Sequence, residues 1–83
     1  MIIGFVLSHS PYTEPHAATL TRLAKAAIDA GATVKIFCTL DGVYARFDGM
    51  CVVHDAESLK QRGLPGPGGT LASILPVDRL VTL

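Results

Sequence analysis

The sequence predicts an α/β fold: a small three-layer sandwich around a mostly parallel sheet of about four strands. Three observations predict it. Apolar runs of strand length alternate with helix-length stretches along the chain. The first run, "IIGFVL" at residues 2–7, is apolar without alternation, as expected of a strand covered on both faces. Strand, helix and strand then follow within about 40 residues, the length of a βαβ unit with a right-handed crossover.

Each element follows from its own residues. The turn formers of "SHSPYTEP" end the first strand, where Thr13 or Glu14 can cap a helix and Pro15 suits its first turn. "HAATLTRLAKAAIDAG" reads as that helix. Its Leu20, Leu23, Ala24, Ala27 and Ile28 share one stripe at helical spacing, while Arg22, Lys25 and Asp29 face away. Gly31 stands where a left-handed residue closes a helix. "TVKIFCTL" (33–40) is β-branched and apolar, hence the second strand. "DGVYARFDG" is a loop with one helical turn at Val43 to Arg46. "MCVVH" is the third strand, and "AESLKQR" is a short helix ended by Gly63. "LPGPGG" is the clear irregular connection. "TLASIL" is a short helix, and "DRLVTL" is the fourth strand. The architecture is flavodoxin-like in the broad sense. At 83 residues one domain is expected, spanning 1–83.

Composition narrows the function. The chain is 49% hydrophobic and 17% charged, with a mean hydropathy of +0.43, which is oily for so small a domain. Association with other subunits is the expected outlet for that apolar surface. The formal net charge is zero and no basic run is present, so nothing marks a nucleic-acid or anionic-membrane partner. The apolar runs fall far short of the roughly 20 residues needed to span a bilayer. "MIIGFVLSHSP" lacks a basic leader and reads as a strand, not as a signal peptide. Two cysteines without an export signal point to reduced thiols and a cytoplasmic protein.

In parallel sheets ligands sit at the strand carboxyl ends. Here those ends are Ser8 to Tyr12, Cys38 to Val43, and His54 with Asp55. The candidate ligand contacts are therefore Ser8, His9, Tyr12, Asp41, Tyr44, His54 and Asp55. Cys38 lies on that side and is the better thiol candidate, although core packing is the favoured expectation for it. Cys51 lies four residues before Asp55, about 13 Å at ~3.3 Å per strand residue, and is expected in the core. His9, His16 and His54 could all lie near the strand ends, but no tight ligand spacing supports a metal site. No cofactor is indicated. "GLPGPGGT" lacks the lysine-serine ending of a phosphate-binding loop and reads as a linker. The hydroxyls of "SHSP" could hold an anion, as many loops between strand and helix can.

Taken together, "SHSPYTEPHAATLTRLAKAAIDAG", "FCTLDGVYA", "ESLKQRGL" and "VDRLVTL" resemble the DsrE/DsrF/DsrH family, which includes the TusB, TusC and TusD sulfur-relay subunits. The element "DGVY" followed by "SLKQRG" is the most specific part. The resemblance implies the DsrE-like fold and a link to sulfur transfer. Two departures stand out. Members commonly carry a further helix between "DGVY" and the third strand, where this chain has only "ARFDG", so it looks like a short variant. Members that carry persulfide have a cysteine at the start of the helix after strand three, eight residues before the helix-ending glycine. Counting back eight from Gly63 gives Asp55. A carboxylate there is a good helix cap but cannot carry sulfane sulfur. The resemblance thus implies an accessory or structural subunit. Its implied partners are copies of itself or related DsrE-like subunits, with a sulfur-carrier protein as a further candidate. Two alternatives stay open: a sulfur carrier using Cys38 or Cys51, and a small-ligand or metal-binding module at the strand ends. Whether the chain is an enzyme stays open with them.

Overall fold

The computed structural model describes residues 1–12, 15–47 and 49–83. The expected cap at Thr13 or Glu14 lies outside the described residues.

The four apolar runs become β1 (Ile2–Leu7), β2 (Thr33–Cys38), β3 (Cys51–His54) and β4 (Arg79–Thr82). They form one sheet in the order β3-β2-β1-β4, and every pairing is parallel. The chain steps outward from β1 to β2 and β3, then crosses back to place β4 on the other side of β1. Right-handed crossovers made in opposite directions send their connections to opposite faces. The sheet is therefore covered twice, as the α/β reading requires.

Pleat alternation sorts the strand residues between the two faces. Ile3, Phe5 and Leu7 lie in register with Val34, Ile36 and Cys38. This face carries the main core, covered by Leu20 and Ala24 of α1 (His16–Asp29) and by Val43 and Ala45. Gly4 marks the opposite face, where an added Cβ would meet Leu80, Val77 and Ile74. Cover on that side is thinner. It comes from a 3-10 turn at Leu71–Ile74 and its flanking loop.

Both helices close as their glycines predict. After α1, the Gly31 N–H donates to the Ile28 carbonyl and the Ala32 N–H to that of Ala27, with Gly31 at φ 93°. After α2 (Ala56–Gln61), the Gly63 N–H donates to Lys60 and the Leu64 N–H to Leu59, with Gly63 at φ 64°. Each pair of bonds is a Schellman closure, which needs a left-handed residue at its centre.

Three expectations are corrected. The α1 stripe is narrower than its spacing implies: Leu20 and Ala24 are buried, but Leu23 and Ile28 are 46% and 43% exposed. One helix resting on two strands buries a single ridge and leaves the flanks of the stripe bare. The helical turn expected at Val43 to Arg46 begins earlier, as a 3-10 helix at Leu40–Tyr44. It is drawn onto the end of β1, where the Thr39 N–H donates to the Leu7 carbonyl at 2.9 Å and Gly42 packs against that same carbonyl. Cys51, expected in the core, is exposed. β3 is an edge strand, and Cys51 is in register with Lys35 on the thinly covered face.

Candidate functional site

The loops at the strand carboxyl ends bring the sequence candidates into three clusters. The first surrounds Asp55. This residue is the N-cap of α2, with extended backbone, and its carboxylate accepts the Ser58 N–H at 3.0 Å. The same oxygen accepts the Ser58 hydroxyl at 2.7 Å. Ser58 is buried, and its hydroxyl oxygen in turn accepts the Leu40 N–H at 2.8 Å and stands 3.4 Å from the Thr39 hydroxyl. Leu40 holds φ 51°, a left-handed conformation that a leucine adopts at a cost. The bond from Leu40 to Ser58 pins that conformation. Asp55, Ser58, Leu40 and Thr39 thus form one hydrogen-bonded chain between the end of β2 and the start of α2.

The second cluster lies one strand position away. Cys38 and His54 are register partners at the ends of β2 and β3, so their side chains stand side by side on the main-core face. Cys38 is fully buried. Burial pushes its thiol up from 9.0 to about 12, and the Arg46 guanidinium pulls against that shift only in part. Arg46 donates to the carbonyls of Val43 and Ala45 at 3.0 and 2.9 Å. His54 Nε2 stands 3.4 Å from both Arg46 Nη1 and the Ala45 carbonyl. With Nε2 bare, the imidazole accepts from Arg46; with Nε2 protonated, it donates to Ala45. A thiol, an imidazole and a guanidinium therefore meet here, but the thiol is protonated and covered.

The third cluster is aromatic. His9 stacks on His16 with ring centroids 4.2 Å apart and planes at 20°. Tyr12 meets Tyr44 at 6.2 Å, joining the loop after β1 to the 3-10 helix after β2. The histidines expected near the strand ends are thus divided: His9 pairs with His16, and His54 belongs with Arg46. Among the described residues, no group of three or more His, Cys, Asp or Glu side chains is placed to hold a metal, and no pocket opens.

The remaining candidates, Ser8 and Asp41, lie outside these three clusters. Ser8 donates to the Leu83 carbonyl through its N–H at 3.2 Å, with its hydroxyl at 3.4 Å. Asp41 pairs with Arg62, whose Nε and Nη2 both reach Oδ1 at 3.0 Å. Cys51 sits at the opposite end of its strand from these clusters. The "LPGPGG" linker is more than a connection. Gly69 forms a parallel bridge to Asp55, its N–H donating to the His54 carbonyl at 2.8 Å and its carbonyl accepting the Ala56 N–H at 3.0 Å.

The residue reading passed over Ser58, Thr39 and Arg46. For Ser58 a signal was present: an acidic cap three residues before a polar side chain just ahead of Leu59 is a variant of the capping box. For Arg46 the only signal is its position, the lone basic residue in the loop "DGVYARFDG".

Comparison with known proteins bears on the fold and the family. A family model described as the DsrE/DsrF-like family matches residues 1–65. Among solved structures, the YchN protein from E. coli superposes with a TM-score of 0.83 at 20% sequence identity, covering 100% of this chain and 99% of that chain. No curated protein matches.

Proposed function

Since the chain belongs to the DsrE/DsrF-like family, we propose that it acts in sulfur transfer as an accessory or structural subunit and not as the sulfur-bearing one. The observation that carries this reading is the state of Asp55. By the sequence resemblance it stands eight residues before Gly63, where persulfide-carrying members would have cysteine, and its carboxylate is engaged twice by Ser58. The nearest thiol, Cys38, is buried and held protonated by a pKa of about 12. A sulfur acceptor needs an accessible thiolate. On this reading the subunit works by assembling, with copies of itself or with related DsrE-like chains, and a partner supplies the reacting cysteine. A cytoplasmic location is proposed from the two cysteines, read as reduced thiols. Separately, no helix among the described residues is long and apolar enough to cross a membrane.

A second reading keeps Cys38 as the carrier. The pairing of Cys38 with His54, and the charge of Arg46 nearby, favour it over any role for Cys51. Mass spectrometry after incubation with a persulfide donor separates the two. In a Cys51→Ser background, which removes the exposed thiol, the accessory reading expects no gain of one sulfur atom with Asp55 in place and a gain on Asp55→Cys, whose thiolate would inherit the Ser58 donors. A gain on the native chain that Cys38→Ser abolishes would replace the accessory reading with the carrier reading.

A further inference from the structure

The Ser58 hydroxyl joins residue 55 to the turn after β2 through a single proton. A hydroxyl has one proton to give and two lone pairs with which to accept. Here the proton goes to Asp55 Oδ2 at 2.7 Å. The oxygen is left to accept, from the Leu40 N–H at 2.8 Å and from the Thr39 hydroxyl at 3.4 Å. Donation to a carboxylate is charge-assisted and strengthens the bonds that the same oxygen accepts. Ser58 is buried, so water does not stand in for either partner. At the far end of this relay, Leu40 is left-handed with its side chain exposed, so core packing does not hold it there. The turn also has a second form open to it. The Gly42 N–H donates to the Thr39 carbonyl at 2.9 Å. Such a bond closes a turn equally well when the residue after its start is right-handed, as in type I turns. The left-handed form is the one that aims the Leu40 N–H at Ser58.

We propose that Asp55 is a positioning residue for Leu40, acting through the Ser58 hydroxyl. With the carboxylate in place, Ser58 is fixed as an acceptor and the turn stays left-handed at Leu40. With that acceptor gone, the Ser58 proton turns to the Thr39 oxygen, its other hydrogen-bond neighbour. The bond to Leu40 then weakens, and the turn relaxes to the right-handed form. This goes beyond helix capping. The side chain at the start of α2 selects the backbone conformation of a different loop, at the end of β2, and with it the direction of an exposed leucine. The coupling holds whether or not the chain acts in sulfur transfer.

Amide NMR of the native protein, Asp55→Asn, Asp55→Gly and Ser58→Ala tests the coupling. Glycine also caps a helix start, so Asp55→Gly removes the acceptor and keeps the beginning of α2. Asparagine supplies an uncharged acceptor of the same shape. A strong intraresidue amide–Hα Overhauser effect marks a positive φ at Leu40. It is expected in the native chain and in Asp55→Asn, and expected to be lost in Asp55→Gly and Ser58→Ala. In those two variants exchange of the Leu40 amide should rise roughly tenfold relative to that of Ala56. The Ala56 amide is bonded to the Gly69 carbonyl, outside the relay, so a general loosening would raise both rates alike. An effect that survives in Ser58→Ala would mean that the Gly42 bond alone holds the turn. One that survives in Asp55→Gly but not in Ser58→Ala would mean that Ser58 acts without Asp55. Either result overturns the proposal.

Discussion

Ser58 donates two hydrogen bonds to one oxygen of Asp55, through its backbone N–H at 3.0 Å and its hydroxyl at 2.7 Å. The pair makes the start of α2 a structural joint. Asp55→Ala removes the cap, at about 1–2 kcal/mol, and leaves the buried Ser58 hydroxyl only the long 3.4 Å contact to Thr39 for its proton, at about 1 kcal/mol more. Urea unfolding should therefore show a loss of roughly 2–3 kcal/mol. A loss below about 0.5 kcal/mol would mean that the cap is dispensable.

The thiol of Cys38 is expected to report pH. Its folded pKa of about 12 lies above the ordinary 9.0. Below pH 9 both folded and unfolded chains keep the proton, and the full stability is present. Between 9 and 12 the unfolded chain releases it while the folded chain does not, so stability falls as pH rises, by up to about 1.4 kcal/mol per pH unit. Cys38→Ala should remove this component of the slope. If the two proteins lose stability in parallel from pH 8.5 to 10.5, Cys38 is not the source.

Labelling should separate the two cysteines. Cys51 is exposed and Cys38 buried, so iodoacetamide at neutral pH is expected to modify the folded chain once, at Cys51, and the urea-unfolded chain twice. Peptide mapping that finds Cys38 labelled first would contradict the closed state of the second cluster.

Gly42 leaves no room for a side chain. A Cβ there would run into the carbonyl of Leu7, which is backbone and cannot swing aside. Gly42→Ala should cost at least the upper part of the roughly 1–3 kcal/mol typical of overpacking. Gly31→Ala meets nothing within 4 Å and is strained only by its φ of 93°, so about 1–2 kcal/mol is expected. The order of the two midpoints in urea checks the claim.

Leu40 carries a conformational cost that a glycine would avoid. Its side chain is 53% exposed and its φ is 51°. Leu40→Gly is therefore expected to be at least as stable as Leu40→Ala, the reverse of the usual ranking. A thermal melt in which the glycine variant is clearly the weaker would show that Ser58 does not hold Leu40 against strain.

The parts of this architecture written locally were legible in the residues. "IIGFVL" and "TVKIFC" declare buried parallel strands by composition, and Gly31 and Gly63 mark the helix ends they close. Position within the sheet was not legible. Nothing in "MCVVH" says that β3 is an edge, so Cys51 read as core. Nothing in the α1 stripe says that only one ridge finds a partner, so Leu23 and Ile28 read as buried. The candidate site divides the same way. Asp55 as a cap follows from its place before "AESLKQ". Its hold on Leu40 through Ser58 joins residues 18 apart and depends on how the loops after β2 and β3 meet. The Gly69 bridge to Asp55 was hidden because proline and glycine in "LPGPGG" signal irregular chain without saying what that chain lies against.

That bridge sets how long the start of α2 stays in place. A helix of six residues does not persist by itself in water. Here the amides of Asp55, Ala56 and Gly69 are all bonded outside the helix, to the carbonyls of Cys38, Gly69 and His54. Its first residues are fastened as though they were a further row of the sheet. Hydrogen exchange at these amides should accordingly follow the opening of the strands and not the fraying of the helix. The surface around Asp55 then behaves as a rigid floor that endures as long as the sheet itself.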